Sequence, residues 1–308
     1  MINLKSNNLK SKLDPNWVTG FVDAEGCFHM SIYSDNLGSK LKWRITPAFQ
    51  IGLHVKDIDL LLQIKSYFNN VGKICRNKNN SINYQIRDIN SIITILIPHF
   101  DKYPLLTQKQ ADYILFKEII KLIKDHEHLT DEGMNKILNL KASLNNGVSD
   151  NILSHFPDIQ KVQRVKVNLP KLINYNWLAG FFSGDGCFFI NISKAKSCVI
   201  GSSVKLNISI TQHLKDETLM LKIVETIGCG NVYRHSQEAV AFKVFAFKDI
   251  CDVIIPLFKE YPVKGTKSLD FKDFCIIAEM VKQRLHLTSN GFLGIKKIKS
   301  GMNKNRLI

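Results

Sequence analysis

One twelve-residue stretch occurs twice and constrains the chain more than any other feature. It reads Trp17-Val18-Thr19-Gly20-Phe21-Val22-Asp23-Ala24-Glu25-Gly26-Cys27-Phe28. It returns 160 residues later as Trp177-Leu178-Ala179-Gly180-Phe181-Phe182-Ser183-Gly184-Asp185-Gly186-Cys187-Phe188. Each copy is a short apolar helix candidate that ends in a carboxylate and then a glycine. Gly26 and Gly186 stand where a helix C-terminus favours a residue that tolerates positive φ.

Gly20 and Ala24 are four residues apart, as are Gly180 and Gly184, so each pair shares one helical face. Small residues there let two backbones approach closely, a steric logic best documented in membranes. If the two copies pack face to face, Glu25 and Asp185 emerge side by side at one end. A carboxylate at that position faces the negative end of the helix dipole, and a second carboxylate nearby adds repulsion. Such a site calls for a compensating cation, and Mg2+ takes oxygen ligands of this kind.

The repeat runs far beyond the two helices, which makes the chain a duplication. After the first helix, Phe28, Met30 and Ile32 alternate with Cys27, His29, Ser31 and Tyr33. Leu41, Trp43 and Ile45 then alternate with Lys40, Lys42, Arg44 and Thr46. The second copy sets Phe188, Ile190 and Ile192 against Phe189, Asn191 and Ser193. It then sets Val204, Leu206, Ile208 and Ile210 against Ser203, Lys205, Asn207, Ser209 and Thr211. This is the pattern of half-buried antiparallel hairpins. Faces rich in Lys, Arg, Asn, Ser, Thr and Tyr can lie in a DNA major groove and read base edges. For any single residue a solvated outer face is the competing reading; the basic bias of both copies favours DNA.

His54 and His213 each precede an Asp by three residues, and Asp57 and Asp216 each open an amphipathic helix candidate as plausible N-caps. The two histidines fit braces of the strand–helix corner better than metal ligands. Gly72 and Gly230 begin second hairpins, with Arg76, Lys78, Arg87, Arg234 and Lys243 in or beside their strands. Ile97-Pro98-His99-Phe100 returns as Ile255-Pro256-Leu257-Phe258. Lys109 and Lys267 then lead long helices, and Thr130 and Thr288 are good N-caps for the closing ones. Each repeat therefore reads α-β-β-α-β-β-α with extra helices. Residues 1–144 form the first repeat and 175–308 the second. Residues 145–174, with the Asn145-Asn146-Gly147 turn signal and Pro157 and Pro170, form a linker. The basic run Lys161, Arg164 and Lys166 in it reads as exposed charge within reach of phosphate. The stretch beyond Ser300 reads as a basic, loosely ordered tail.

Charge supports a polyanionic partner. The formal net charge of the 308-residue chain is +15, with a pI near 9.4. Residues 161–308 hold 23 Lys and Arg against 11 Asp and Glu, whereas residues 1–160 hold 19 against 16. Non-specific phosphate attraction should come mostly from the second half. The seven cysteines form no Cys-x-x-Cys pair and no zinc spacing, so we read them as reduced and mostly buried. No apolar run approaches membrane-spanning length. Abundant Lys, Asn and Ile suit an AT-rich gene and an organellar, mitochondrial setting.

The two matched motifs, each preceded by Trp and followed by Cys-Phe, resemble the LAGLIDADG homing endonucleases in their single-chain, two-motif form. The resemblance implies an α+β fold of two αββαββα repeats related by a pseudo-twofold axis. Each repeat would hold an antiparallel sheet, backed by helices, that forms part of a DNA-binding saddle, and the chain would work as a monomer. It implies a metal-dependent hydrolase that makes a double-strand break across the minor groove and leaves short 3′ overhangs. Glu25 and Asp185 would hold Mg2+ with the carbonyls of Ala24 and Gly184. Lys109 and Lys267 lie near the family's catalytic lysine; either polarises a phosphate or water, or simply starts a surface helix. Gln212 falls where the family often has a water-ordering glutamine, whereas the first copy has Leu53, so the two centres should be unequal. Asp23 reads as structural, since it points to another face than Glu25 and the second copy has Ser183. The expected DNA contacts are Ser31, Tyr33, Lys40, Lys42, Arg44 and Thr46 with Arg76, Lys78 and Arg87 in the first repeat. In the second they are Asn191, Ser193, Lys194, Lys196, Ser203, Lys205 and Asn207 with Arg234 and Lys243. Two other readings stand beside this one: an RNA maturase whose partner is the host intron RNA, and a DNA-binding protein without cleavage.

Overall fold

The computed structural model describes residues 13–34, 43–77, 79–196 and 200–306. The chain forms two compact units. One takes the described residues up to Pro15 together with Glu25–Asn168; the other takes Asn16–Ala24 with Leu169–Ile308.

Helix α1 (Pro15–Glu25) leads into β1 (Gly26–Ser34) and β2 (Trp43–His54). A 3-10 turn (Val55–Asp57) and α2 (Ile58–Tyr67) follow, then β3 (Lys73–Arg76) and β4 (Ser81–Ile86). The strands form one antiparallel sheet in the order β1-β2-β4-β3. Short α3 (Ile89–Ser91) runs through a π turn into α4 (Ile97–Lys102), followed by α5 (Lys109–Lys124), α6 (Asp131–Ser143) and α7 (Asp150–His155). The second unit repeats the plan. It holds α8 (Tyr175–Asp185), β5 (Gly186–Lys194), β6 (Ser202–His213), α9 (Glu217–Ile227), β7 (Asn231–Arg234) and β8 (Ala239–Val244). Then come α10 (Phe247–Asp249), α11 (Ile255–Glu260), α12 (Lys267–Lys282) and α13 (Ser289–Ser300). Its sheet order is β5-β6-β8-β7.

The alternation read from sequence decides which sheet face is covered. In the first sheet Phe28, Met30, Phe49, Ile51, Ile82, Tyr84 and Ile86 are buried. Phe28 packs edge-on to Phe100 of α4 at 5.3 Å and against Phe116 of α5 at 5.5 Å. In the second, Phe188 meets Phe258 of α11 edge-on at 5.8 Å and Phe274 of α12 at 5.4 Å. Each such ring stabilises its unit by roughly 1.5–3 kcal/mol through burial. Trp43 and Ile45 extend the covered face of the first hairpin outward, where they pack with Met134, Leu138 and Ile152 of α6 and α7.

Within the second unit, the Asn16–Ala24 segment of α1 lies directly on α8. A Cβ added at Gly20 would stand 1.9 Å from the Trp177 carbonyl oxygen, and one at Gly180 would stand 2.0 Å from that of Trp17. The small-residue face therefore is a backbone-to-backbone seam.

Several local expectations change. Asp57 and Asp216 make no side-chain cap bond. A 3-10 turn precedes each helix, and the histidine ahead of it caps that turn: Nδ1 of His54 accepts from the Lys56 N–H at 3.2 Å, and Nδ1 of His213 from the Lys215 N–H at 3.0 Å. Thr130 and Thr288 do cap, accepting from the Gly133 and Gly291 N–H groups. Arg164 is not loose surface charge. Its guanidinium pairs with Asp112 at 2.7 Å and donates to the carbonyls of Ser143 and Gln108. Nor is the described chain past Ser300 loose, since Arg306 makes the matching pair with Asp270 at 2.6 Å.

Candidate active site and nucleic-acid interface

In the second unit, α8 ends at Asp185 and β5 starts at Gly186. Gly186 has φ −70° and ψ 154°, so the left-handed cap expected there does not form. A Cβ at this position would stand 2.1 Å from Cδ1 and 2.5 Å from the carbonyl oxygen of Phe182, so close approach is what demands glycine. Gly26 likewise opens a strand, β1, and is not among the positive-φ residues.

The C-terminal end of α8 leaves carbonyls without helical partners. Lys267, first residue of α12, answers them. Its ammonium donates to the Gly184 carbonyl at 3.1 Å and to that of Gly186. A cation there also opposes the negative end of the dipole. Gln212, near the end of β6, donates from Nε2 to an Asp185 carboxylate oxygen. Asp185, Gly184, Gln212 and Lys267, named from sequence, thus converge within one unit. Burial pushes the Cys187 thiol up, and Lys267 acts against that rise.

The first unit carries Glu25, Lys109 and Leu53 at the matching positions. Glu25 is half-buried at the end of α1, and Lys109 opens α5 with its N–H on Thr107 Oγ1 at 3.2 Å. Burial pushes the Cys27 thiol up, and Lys109 acts against it, as Lys267 does at Cys187. Leu53 stands where Gln212 does and offers no amide.

A hard divalent ion suits this donor chemistry. Carboxylate and backbone carbonyl oxygens are its preferred ligands, and a carbonyl that accepts from Lys267 keeps a second lone pair. Among the described residues no three His, Cys, Asp or Glu side chains gather into a closed cage.

The open sheet faces carry most of the other predicted residues. Arg44 is exposed opposite Tyr33, whose hydroxyl lies 3.4 Å from Thr46 Oγ1, and Ser31 pairs with Thr46 in register. Arg87 follows β4 on this face. Burial above all, with Lys141 and then Arg87, holds the His29 imidazole below its usual pKa. In the second sheet Asn191 faces Lys205, Asn207 faces Phe189, and the Ser193 and Ser203 hydroxyls lie 2.9 Å apart. Lys243 stands beside Ser209, while Lys194 and Lys196 occupy the hairpin end. Arg76 and Arg234 do not share these faces. They pair in register with buried Ile82 and Val240, and Arg234 donates to the Gln237 carbonyl at 2.6 Å. Lys40, Lys42 and Lys78 lie outside the described residues.

Sequence reasoning misses the open face of β4 and its neighbours. Asn83 and Gln85 line it beside Gln50, with the two glutamines 3.4 Å apart. Gly52 makes room, since a Cβ there would stand 2.8 Å from Asn83 Oδ1. The alternation Ser81-Ile82-Asn83-Tyr84-Gln85-Ile86 carries that signal as plainly as β2 does. Tyr233 and Phe245 escape it too, and Phe189, which the alternation puts on the polar face, is not counted among the contacts.

The profile of the LAGLIDADG endonuclease family matches residues 18–120 and 178–278. The chain is 38% identical to the probable intron-encoded endonuclease 2 of Neurospora crassa, over 95% of this chain and 68% of that protein. It is 38% identical to the probable intron-encoded endonuclease 3 of the same fungus, of whose length it spans 52%. Among solved structures, the I-SmaMI LAGLIDADG homing endonuclease bound to cleaved DNA superposes with a TM-score of 0.93 at 38% identity. That match covers 97% of this chain and 100% of the other. I-SmaMI has also been solved on uncleaved target DNA with calcium ions, and with two lysines replaced by alanine. On its repeated motif, its duplicated sheets and these matches, the chain belongs to the LAGLIDADG endonuclease family.

Proposed function

We propose that this chain is a site-specific homing endonuclease that binds a long double-stranded DNA target and hydrolyses one phosphodiester bond in each strand. The observation that carries the reading is the convergence of Gln212, Lys267 and Asp185 at the end of α8. A helix end that only packed would need none of the three.

Asp185 with the Gly184 carbonyl, and Glu25 with the Ala24 carbonyl, supply the oxygen ligands for Mg2+. When bound, the ion activates water and stabilises the leaving oxygen. Lys267 holds the turn after Asp185 by two of its three N–H donors and offers the third to a phosphate oxygen or a water. Gln212 fixes the Asp185 rotamer from Nε2 and leaves Oε1 to orient the attacking water. Lys109 takes the role of Lys267 in the first unit. The open sheet faces lie on the DNA, with Arg44 placed for bidentate contact to guanine and Lys194 and Lys196 placed for phosphate. The protein acts as a monomer. Its composition and its intron-encoded fungal relatives support a mitochondrial setting. No helix of the described residues is long and apolar enough to cross a membrane. A maturase acting on host intron RNA would need the basic surface but not the Asp185 cluster, so the nuclease reading accounts for more of the molecule.

The test is incubation of the purified chain with a plasmid that carries the intronless insertion site, with Mg2+ and with a chelator. Linear product that requires the metal is expected. Tight binding without any cut in Mg2+ would leave a binder, and loss of both would remove DNA from the account.

A further inference from the structure

Three large aromatic side chains stand exposed on the open face of the second sheet: Phe189 at 44%, Tyr233 at 42% and Phe245 at 53% of full accessibility. Phe189 pairs in register with Asn207, and Phe245 follows β8 with the facing of Lys243. The Phe245 and Tyr233 rings meet edge-on at 5.9 Å. The ammonium of Lys299 lies 6.0 Å from the centre of the Phe189 ring, at the outer limit of cation–π range. An open antiparallel face normally carries polar residues, and an apolar patch on one marks a surface that meets something.

Among the described residues the first sheet does not repeat this cluster, although Tyr33 is exposed near its hairpin end. At the positions that repeat Phe189, Tyr233 and Phe245 it carries His29, Cys75 and Arg87. The two sheets thus share a frame and differ in the chemistry they present.

The partner must suit rings set among cations. Lys205, Lys243, Asn207 and Ser209 are interleaved with them, so an apolar protein surface would strip water from lysines and give nothing back. The major groove of DNA offers phosphates for the lysines, and at each thymine an apolar C5-methyl group among polar base edges. We propose that Phe189 and Phe245, buttressed by Tyr233, read thymine methyl groups in the half-site covered by the second unit. The half-site under the first unit is then read mainly through hydrogen bonds. This inference rests on the reading of the open sheet faces as DNA-binding surfaces.

The test uses the full chain and a duplex recovered by repeated binding selection from a randomised library. Each thymine in turn is replaced by deoxyuridine, which removes the methyl and leaves every hydrogen-bonding group. In one half-site, at least one replacement should weaken binding about fourfold, the loss that corresponds to one buried methylene-sized group. The other half-site should show no such loss. Phe189→Ala or Phe245→Ala should abolish the deoxyuridine effect at one base while leaving effects elsewhere in place. Neutral deoxyuridine at every thymine of a duplex the protein still binds and cuts overturns this inference alone, as does a penalty that persists in both variants. Failure to enrich any duplex overturns the DNA reading and this inference with it.

Discussion

The indole Nε1 of Trp177 donates to a carboxylate oxygen of Asp23 at 2.8 Å, and both residues are buried. The bond crosses the seam between the α1 segment and α8 within the second unit. It explains why the two motif copies differ at this letter. Ser183, in the place of Asp23, donates to the Ala179 carbonyl and accepts from the Lys264 N–H at 2.9 Å. Asp23 is thus a seam residue, as its position two residues before Glu25 implies.

Asp23→Ala should therefore destabilise the fold by about 1–3 kcal/mol, the cost of leaving a buried N–H without its acceptor. Asp23→Asn keeps an oxygen at that point and should cost less. Combining Asp23→Ala with Trp177→Phe should cost less than the sum of the single changes, because the orphaned donor is gone. Urea denaturation of the four variants reads the coupling directly; strict additivity would deny the bond.

Gly180→Ala should fail more severely than its size suggests. The new Cβ would meet the Trp17 carbonyl oxygen at 2.0 Å and the Phe21 nitrogen at 2.8 Å, and backbone atoms cannot rotate aside. Overpacking of this kind costs about 1–3 kcal/mol or more. Gly301→Ala is the control, because its nearest atom lies 3.6 Å away in ordinary contact. Thermal melts should show a large drop for the first and little change for the second.

The features legible in the sequence are those that local chemistry determines. Hairpin facing follows from period-two alternation, and Thr130 and Thr288 announce their caps. Two of the misses show what local chemistry leaves open. At Asp57 and Asp216 a residue three positions earlier takes the expected role through a 3-10 turn. At Arg164 the partner, Asp112, lies 52 residues away, and nothing nearby in the chain signals it. The convergence at Asp185 belongs to a third group. The motif, the repeat offset and the family resemblance name its members one by one. That Lys267 holds the carbonyls of Gly184 and Gly186, on either side of the carboxylate, is a property of the fold alone.

His99 gives the first unit a pH dependence that its counterpart Leu257 denies the second. The ring is buried, with Nδ1 3.0 Å from the Tyr67 hydroxyl, and burial lowers its pKa to about 4. A histidine kept neutral in the fold but free to protonate when unfolded stabilises fully above its unfolded pKa near 6.5. That contribution is lost as pH falls toward 4. The loss should be on the order of 3 kcal/mol across that window. His99→Leu, which copies the second repeat, should flatten the stability profile between those pH values. A profile with an unchanged slope would place the acid sensitivity elsewhere.

Gln212 and Leu53 set the two centres apart, and the difference should appear in time. Gln212 holds the Asp185 carboxylate from β6, whereas Leu53, at the matching position of the first repeat, offers only a hydrocarbon. If both strands are cut, the strand served by Asp185 should be cut first, so nicked circles should build up before linear product in a plasmid time course. Gln212→Leu gives the second unit the side chain of the first. It should slow cutting by roughly 10–100-fold, the range seen when a partner that orients a ligand is lost. DNA affinity measured in a chelator should hold, since Gln212 lies at the helix end rather than among the hairpin residues assigned to DNA contact. Leu53→Gln should shorten the lifetime of the nicked circle by speeding the slower strand. If Gln212→Leu leaves both strand rates unchanged, the bond to Asp185 has no part in the chemistry, and the inequality of the two centres must come from Lys109 and Lys267 instead.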